Sequence, residues 1–303
     1  MPAPEQPEVT LAAPDADGAA RNESAGELVP VPNPAPAPAF DESRRGDVDG
    51  WGRSEQARTV ARAIYDPIYK HYFRAEWEGL EHIPHKGGAL LVSNHAGAIP
   101  ADAPVIMHGI EREVGRPVYG MADFFFRATP IIGTLWSRLG GVTAHPDNAY
   151  RILHDDQQLA LVFPEGTKAT GKLFRERYQL RRFGRGGFVE TAMRAGVPII
   201  PIAVVGAEEA MPMLFRVPQL AQVLGVPYVP VTANMLMFGP AGLFAYLPAK
   251  FRLRVLPPVH FDVPPDEERY PRSRIVEIAD SIRTSIQDAL YEMLRERRSV
   301  WRG

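Results

Sequence analysis

The sequence predicts an α/β fold in which a mainly parallel or mixed sheet is flanked by helices, and three observations carry that prediction. Short apolar runs at 88–94, 159–166 and 197–206 alternate with stretches of helical periodicity. Gly196 stands where a helix over 186–196 has to stop before the next apolar run. The chain closes on Ile275, Ile278, Ile282, Ile286, Ala289 and Met293, spaced to form one apolar face of a long helix.

In chain order, Val60, Ala61, Ile64 and Ile68 repeat near helical spacing and predict a helix over 53–71. GALLVSN (88–94) reads as a buried strand, followed by a short helix over 105–114. RPVYGMAD (116–123) is a second strand, and FFFRATPIIGTLWSRLG (124–140) an apolar helical or irregular stretch. GGVTA (140–144) leads to a short helix over 148–155 and the strand LALVFPEG (159–166). After the 186–196 helix come VPIIPIAVVG (197–206) and FRLRVLPPVHF (251–261), both strands. No internal repeat is visible, and residues 51–303 suffice for one domain.

The first fifty residues differ from the rest. They hold nine prolines and ten acidic residues against three arginines, a net −7, which leaves +5 on the remainder of a chain whose total is −2. Such a segment buries too little apolar surface to offset its chain entropy, so residues 1–50 read as a disordered Pro/Ala-rich acidic tail. With no basic stretch before an apolar one, it does not read as a secretory signal. The chain has no cysteine, which excludes disulfides, thiolate metal sites and a cysteine nucleophile and fits a cytoplasmic protein. Residues 217–249 contain no Asp, Glu, Lys, Arg or His, but five prolines and three glycines argue against a membrane-spanning helix. Two readings stay open for this run, a buried core segment or an apolar lip in a membrane interface.

Two motifs carry chemistry. His95 ends the 88–94 strand and is followed by Ala96, Gly97 and Ala98, small residues that leave room beside an imidazole. Loops beyond the carboxyl ends of strands are where α/β sites are built. Asp102 lies seven residues on. It is placed either to cap the following helix or to hold one ring nitrogen of His95 while the other takes a proton. The second motif is FPEGTKATGK (163–172), which contains Glu165, Gly166, Thr167 and Lys168. Its plain reading is a turn. Gly166 to Lys172 also matches the first seven positions of a phosphate-binding P-loop, but Leu173 stands where the Mg²⁺-holding Ser or Thr belongs.

Other templates are absent: there is no G-x-S-x-G elbow and no H-E-x-x-H. His82 and His85 lack a third ligand in register and read as structural, so no metal site is expected. Lys168, Lys172, Arg175, Arg177, Arg181, Arg182 and Arg185 against Glu176 put +6 into eighteen residues. That cluster is either a solvated face or a receiver of phosphates, an acidic carrier protein or anionic lipid. It is local and the whole chain slightly acidic, so no nucleic-acid partner is expected.

SNHAGAIPADAP, FPEGTK and GVPIIPIAVVG, in that order, resemble the glycerolipid acyltransferase superfamily, related to lysophosphatidate acyltransferases, over residues 75–260. The resemblance implies an α/β fold that moves a fatty acyl group from acyl-CoA or acyl carrier protein to a lipid hydroxyl, with no further cofactor. It assigns the catalytic pair to His95 and Asp102 and the acceptor site to Glu165, Gly166, Thr167 and Lys168. Beside such a site, Lys172, Arg175, Arg182 and Arg185 are candidates for the donor phosphates. The spacing between His95 and Asp102 is two residues longer than the family's usual one, and it resembles branches closer to the monoacylglycerol and diacylglycerol acyltransferases. His145-Pro146 stands where an acceptor-binding Arg is expected, and Lys168 replaces the Arg that usually ends the FPEGT motif. A point charge in place of a bidentate fork disfavours a phosphorylated acceptor. The resulting expectation is a cytoplasmic, peripherally membrane-associated acyltransferase. Its rivals are a non-catalytic lipid-binding or scaffold protein with this fold, and a P-loop-like nucleotide binder.

Overall fold

A computed structural model of the chain describes residues 46–122, 130–224, 228–265 and 270–303, with side chains other than those of 130–132, 167–168 and 223–224. The acidic tail up to residue 45 and DFFFRAT (123–129) therefore lie outside the described residues. The structure does include residues 46–50, which the sequence assigns to the tail. Asp49 accepts hydrogen bonds from the Tyr119 hydroxyl (2.6 Å) and from the backbone of Trp51 and Arg53, so the chain is tied down before residue 50.

The strands are β1 (Glu76–Glu78), β2 (Ala89–Ser93), β3 (Val118–Ala122), β4 (Gly141–Thr143), β5 (Leu159–Val162), β6 (Ile199–Val205), β7 (Met213–Arg216), β8 (Pro230–Thr232) and β9 (Arg252–Val255). The helices are α1 (Glu55–Pro67), α2 (Asp102–Glu113), α3 (Pro130–Arg138), α4 (Pro146–Tyr150), α5 (Thr167–Thr170), α6 (Gly187–Ala195), α7 (Ala207–Ala210), α8 (Pro218–Leu224), α9 (Ala233–Phe238) and α10 (Arg272–Glu296). Seven strands form one sheet in the order β1-β9-β6-β2-β5-β3-β4, and β7 and β8 form a separate hairpin. Every pairing in the large sheet is parallel except β6 with β9. The sheet is thus mixed and mainly parallel, as expected.

Burial on both faces explains why the central strands read as unbroken apolar runs. Side chains alternate across a strand. Leu90 and Val92 of β2 join the core under α6 and α10, while Ala89 and Leu91 join the one under α2. All six face residues named for the closing helix belong to that first core, with Ile278 packed at its edge. Gly196 ends α6 at φ +64°, a left-handed backbone that glycine adopts without steric cost. β1, the β7–β8 hairpin and the helices α5, α7, α8 and α9 were not read from sequence. Each is short, between three and seven residues, below the length at which periodicity discriminates.

The 217–249 run differs from its buried-core reading. Leu236 is 70% exposed and Phe244 85%, and Leu220, Met237 and Phe238 are also exposed. Its short helices and turns bury Asn234 and Gly242 and leave these large apolar side chains outward. The reason is topological: the run leaves the sheet after β6 and returns only at β9, so no layer of the described residues lies over its outer side chains.

Candidate active site

The central position of β2 and its register with β5 bring the two motifs together. Val92 pairs with Val162 in a parallel ladder, so three residues beyond each member of this pair, His95 and Glu165 emerge at the same edge. The His95 backbone N–H lies 3.4 Å from Glu165 Oε1. Asn94 makes this departure from the sheet possible. Its side chain accepts from Val204 N–H (2.8 Å) and donates to Val204 C=O (3.0 Å) in β6, so β6 keeps its partners as the chain turns away. Gly97 then takes φ +87°, and a Cβ there would sit 3.1 Å from the Ala207 carbonyl.

His95 Nδ1 lies 3.0 and 3.1 Å from the two oxygens of Asp102. Asp102 is fully buried, and its oxygens also accept from Ala96 N–H (2.8 Å) and Ala103 N–H (2.7 Å). The histidine-holding reading of Asp102 is the one realised: Ala101, not Asp102, is the N-cap of α2, and Asp102 opens the helix as its first residue. An ionised carboxylate only accepts, so Nδ1 carries the hydrogen and Nε2 the lone pair. The imidazole stacks on Phe163, with centroids 4.0 Å apart and planes at 22°. Burial first, then the negative charge of Asp102, raises the half-buried Tyr246 to about 12, and burial likewise leads the upward shifts of Tyr65 and Tyr228, to which Asp102 contributes less.

Glu165 is buried, and its Oε2 accepts from Arg181 N–H (2.6 Å). Lys172 Nζ lies 3.5 Å from Glu165 Oε2, 3.5 Å from Glu208 Oε1 and 3.2 Å from the Gln179 carbonyl. Lys172 thus differs from its expected place among the phosphate-binding residues. Its side chain is 4% exposed and its ammonium is committed to two carboxylates. The same burial removes the lysine that a P-loop would aim at a nucleotide. Arg175, Arg182 and Arg185 are exposed on the loop beyond. Gly166 is exposed in the turn, its N–H donating to Phe163 C=O (2.9 Å). The side chains of Thr167 and Lys168 lie outside the described ones. His145 is exposed and accepts from Asp147 N–H at the start of α4. His82 Nδ1 contacts the Val255 carbonyl (3.1 Å), and no group of three metal-ligating side chains occurs among the described residues.

Sequence reading missed a buried polar layer beneath the site. Glu208 and Glu209 of α7 follow β6 at the same sheet edge. Glu208 accepts from Tyr178 N–H (2.5 Å), while Glu209 binds the Tyr178 hydroxyl and Arg297 (2.8 Å). These bonds hold the bulky Tyr178 at φ +61°. Three buried carboxylates, Glu165, Glu208 and Glu209, here face two cations, Lys172 and Arg297. Burial pushes Glu208 up to about 7 against the opposing pull of Lys172. The available signal was an acidic pair, AEEA, just past an apolar strand parallel to β2.

At the carboxyl edge of the α/β sheet, then, an imidazole has one nitrogen held by a buried carboxylate, an arrangement chemically able to take up a proton at the other. Residues 74–205 match the Acyltransferase family. An uncharacterized protein of Mycobacterium tuberculosis is 37% identical over 246 residues, covering 80% of this chain and 68% of that one. A human protein described as a DGAT1/2-independent enzyme synthesizing storage lipids is 30% identical over 146 residues, 48% of this chain and 44% of that one. In fold, the chain is similar to the 1-acyl-sn-glycerophosphate acyltransferase PlsC of Thermotoga maritima. The TM-score is 0.51 at 20% identity, covering 81% of this chain and 84% of that one. The chain belongs to the glycerolipid acyltransferase superfamily, and its fold and family support glycerolipid acyl transfer in general.

Proposed function

We propose that the protein is an O-acyltransferase that moves a fatty acyl group from acyl-CoA or acyl carrier protein to a hydroxyl of a glycerolipid, with His95 as general base. The observation that carries this reading is the pairing of His95 Nδ1 with buried Asp102 at the end of β2, which leaves Nε2 as the acceptor of a proton. A thioester carbonyl is already activated, so no enzyme nucleophile is needed. The acceptor hydroxyl gives its proton to Nε2 as its oxygen bonds the carbonyl carbon. The tetrahedral intermediate then collapses, the C–S bond breaks, and the departing sulfur takes the proton back from Nε2. Asp102 keeps the tautomer that starts this cycle and favours the imidazolium at its midpoint.

For the acceptor, we favour a neutral glycerolipid such as a mono- or diacylglycerol, with lysophospholipids as the alternative. Lys168 in place of Arg and His145-Pro146 in place of an expected Arg support that choice, as both weaken bidentate recognition of a phosphate. The human relative named for storage-lipid synthesis supports it as well. The donor phosphates fall to the exposed Arg175, Arg182 and Arg185, with Lys172 left to its internal pairs.

The test is transfer from radiolabelled palmitoyl-CoA, and from palmitoyl-acyl carrier protein, into lysophosphatidate, other lysophospholipids, monoacylglycerol and diacylglycerol. His95→Ala should lower transfer by about 10²- to 10⁴-fold, and the best acceptor identifies the branch. Equal transfer by both proteins removes His95 from the chemistry. No transfer with either donor favours the lipid-binding reading.

A further inference from the structure

We propose that the segment from β7 to α9 and its following turn, residues 213–244, is a membrane-inserting lip that docks the site on an anionic lipid leaflet. The occupant takes its identity from the acyl-transfer reading above, in which the acceptor resides in a lipid surface.

Seven large apolar side chains are exposed within this one segment: Leu214, Phe215, Leu220, Leu236, Met237, Phe238 and Phe244. Such an exposed apolar concentration marks an interaction surface rather than ordinary scatter. Residues 217–249 carry no charge, and exposed Arg216 stands just before them, whereas Lys250 after them is paired with Glu76 (2.6 Å). An uncharged surface with a cation at its edge suits entry into acyl chains while the charge stays at the headgroups. No helix among the described residues is long and apolar enough to cross a bilayer, so the lip enters a leaflet without spanning it.

The lip is continuous with both the catalytic loop and the basic cluster. Met211 and Met213 at its base pack with Ala98 and Ile99 of the loop after His95, and with Leu173 and Tyr228. The Tyr228 hydroxyl donates to the Ala98 carbonyl (2.9 Å). Gly97, Phe174 and Met213 line one small cavity. Just past Phe174 come the exposed Arg175, Arg177, Arg181, Arg182 and Arg185, of which Arg181 pairs with Glu176. Apolar side chains beside an exposed positive cluster complement an anionic leaflet, the first by burial and the second by attraction to headgroups. The lip thus sets the loop between His95 and Asp102 at the lipid surface, where a lipid hydroxyl reaches Nε2 without leaving the leaflet.

The experiment compares the full chain with a Leu236→Glu/Phe244→Glu variant, both positions being exposed enough for the fold to be kept. Thermal melts of both proteins check that it is. Cosedimentation uses vesicles of phosphatidylcholine with phosphatidylglycerol and vesicles of phosphatidylcholine alone, at low and high salt. The wild type should bind the anionic vesicles more tightly, salt should narrow that difference, and the variant should bind about ten- to a hundred-fold more weakly at an unchanged melting temperature. Vesicle binding does not depend on turnover, so a failure of the acyl-transfer reading appears separately, as absent transfer by a protein that still binds. Equal binding by the two proteins, or none by the wild type, overturns the proposal. So does a wild-type dimer that the variant turns into a monomer on gel filtration, since the occupant is then a second copy.

Discussion

The carboxyl edge of β2 and β5 and the 213–244 segment lie side by side, and they are built by opposite rules. At the strand edge, nearly every polar group is buried and partnered: Asp102 has three donors, Asn94 two bonds to Val204, and Glu165 a lysine and a backbone amide. In the 213–244 segment, apolar side chains stand in the open. Burying a polar group without a partner costs about 1–3 kcal/mol, so the first region demands particular residues at particular spacings. An exposed leucine costs nothing of that kind, and the second region is shaped by what it will meet.

Substitutions at the strand edge separate its chemistry from its architecture. The largest effect expected is the loss of transfer in His95→Ala. Stability should fall only by about 1–3 kcal/mol, because buried Asp102 loses the imidazole N–H but keeps its two backbone donors. Lys172→Ala should do the reverse. It leaves Glu165 and Glu208 buried beside no ammonium, and breaking such a pair typically costs about 3–5 kcal/mol. Arg182→Ala, at an exposed position, should stay within about 0.5 kcal/mol. Urea midpoints of the two variants measure the contrast. If Lys172→Ala unfolds like wild type while losing affinity for CoA, Lys172 belongs with the donor phosphates after all.

Asp102→Asn tests both roles of one residue. An amide has a single acceptor oxygen, whereas Ala96 N–H and Ala103 N–H each use one oxygen of the carboxylate. One buried amide loses its partner, at about 1–3 kcal/mol, and the imidazolium loses its counter-charge. Transfer should fall at least about ten-fold together with the denaturation midpoint. A fall in stability alone would reduce Asp102 to an anchor for the backbone of Ala96 and Ala103.

This division explains what was legible in the sequence. The sheet strands that carry the site were readable because burial on both faces makes them continuous apolar runs. The meeting of His95 and Glu165 was readable as two motifs at strand ends, though their equal offset of three residues needed the β2–β5 register. Lys172 was misplaced for a physical reason: a charge cluster looks the same in sequence whether its lysine faces water or two carboxylates. Glu208 and Glu209 escaped because their partners Lys172, Tyr178 and Arg297 come from distant parts of the chain. The 217–249 run left two readings open, since an uncharged segment is buried or exposed according to the layer opposite it.

A further effect on stability comes through pH, at a buried carboxylate. Against the opposing pull of Lys172, burial raises Glu208 to about 7. Its ordinary value is 4.5. Between the two values the folded protein binds more protons than the unfolded chain, so stability falls as pH rises through that window. The contribution is fully present below the lower value and gone above the upper one. Glu208→Gln cannot titrate and keeps an oxygen for Tyr178 N–H, so it should lack this slope. Denaturation midpoints across the window and just above it should show wild type losing up to about 3 kcal/mol more than the variant. Parallel curves would mean that Lys172 holds Glu208 ionised throughout.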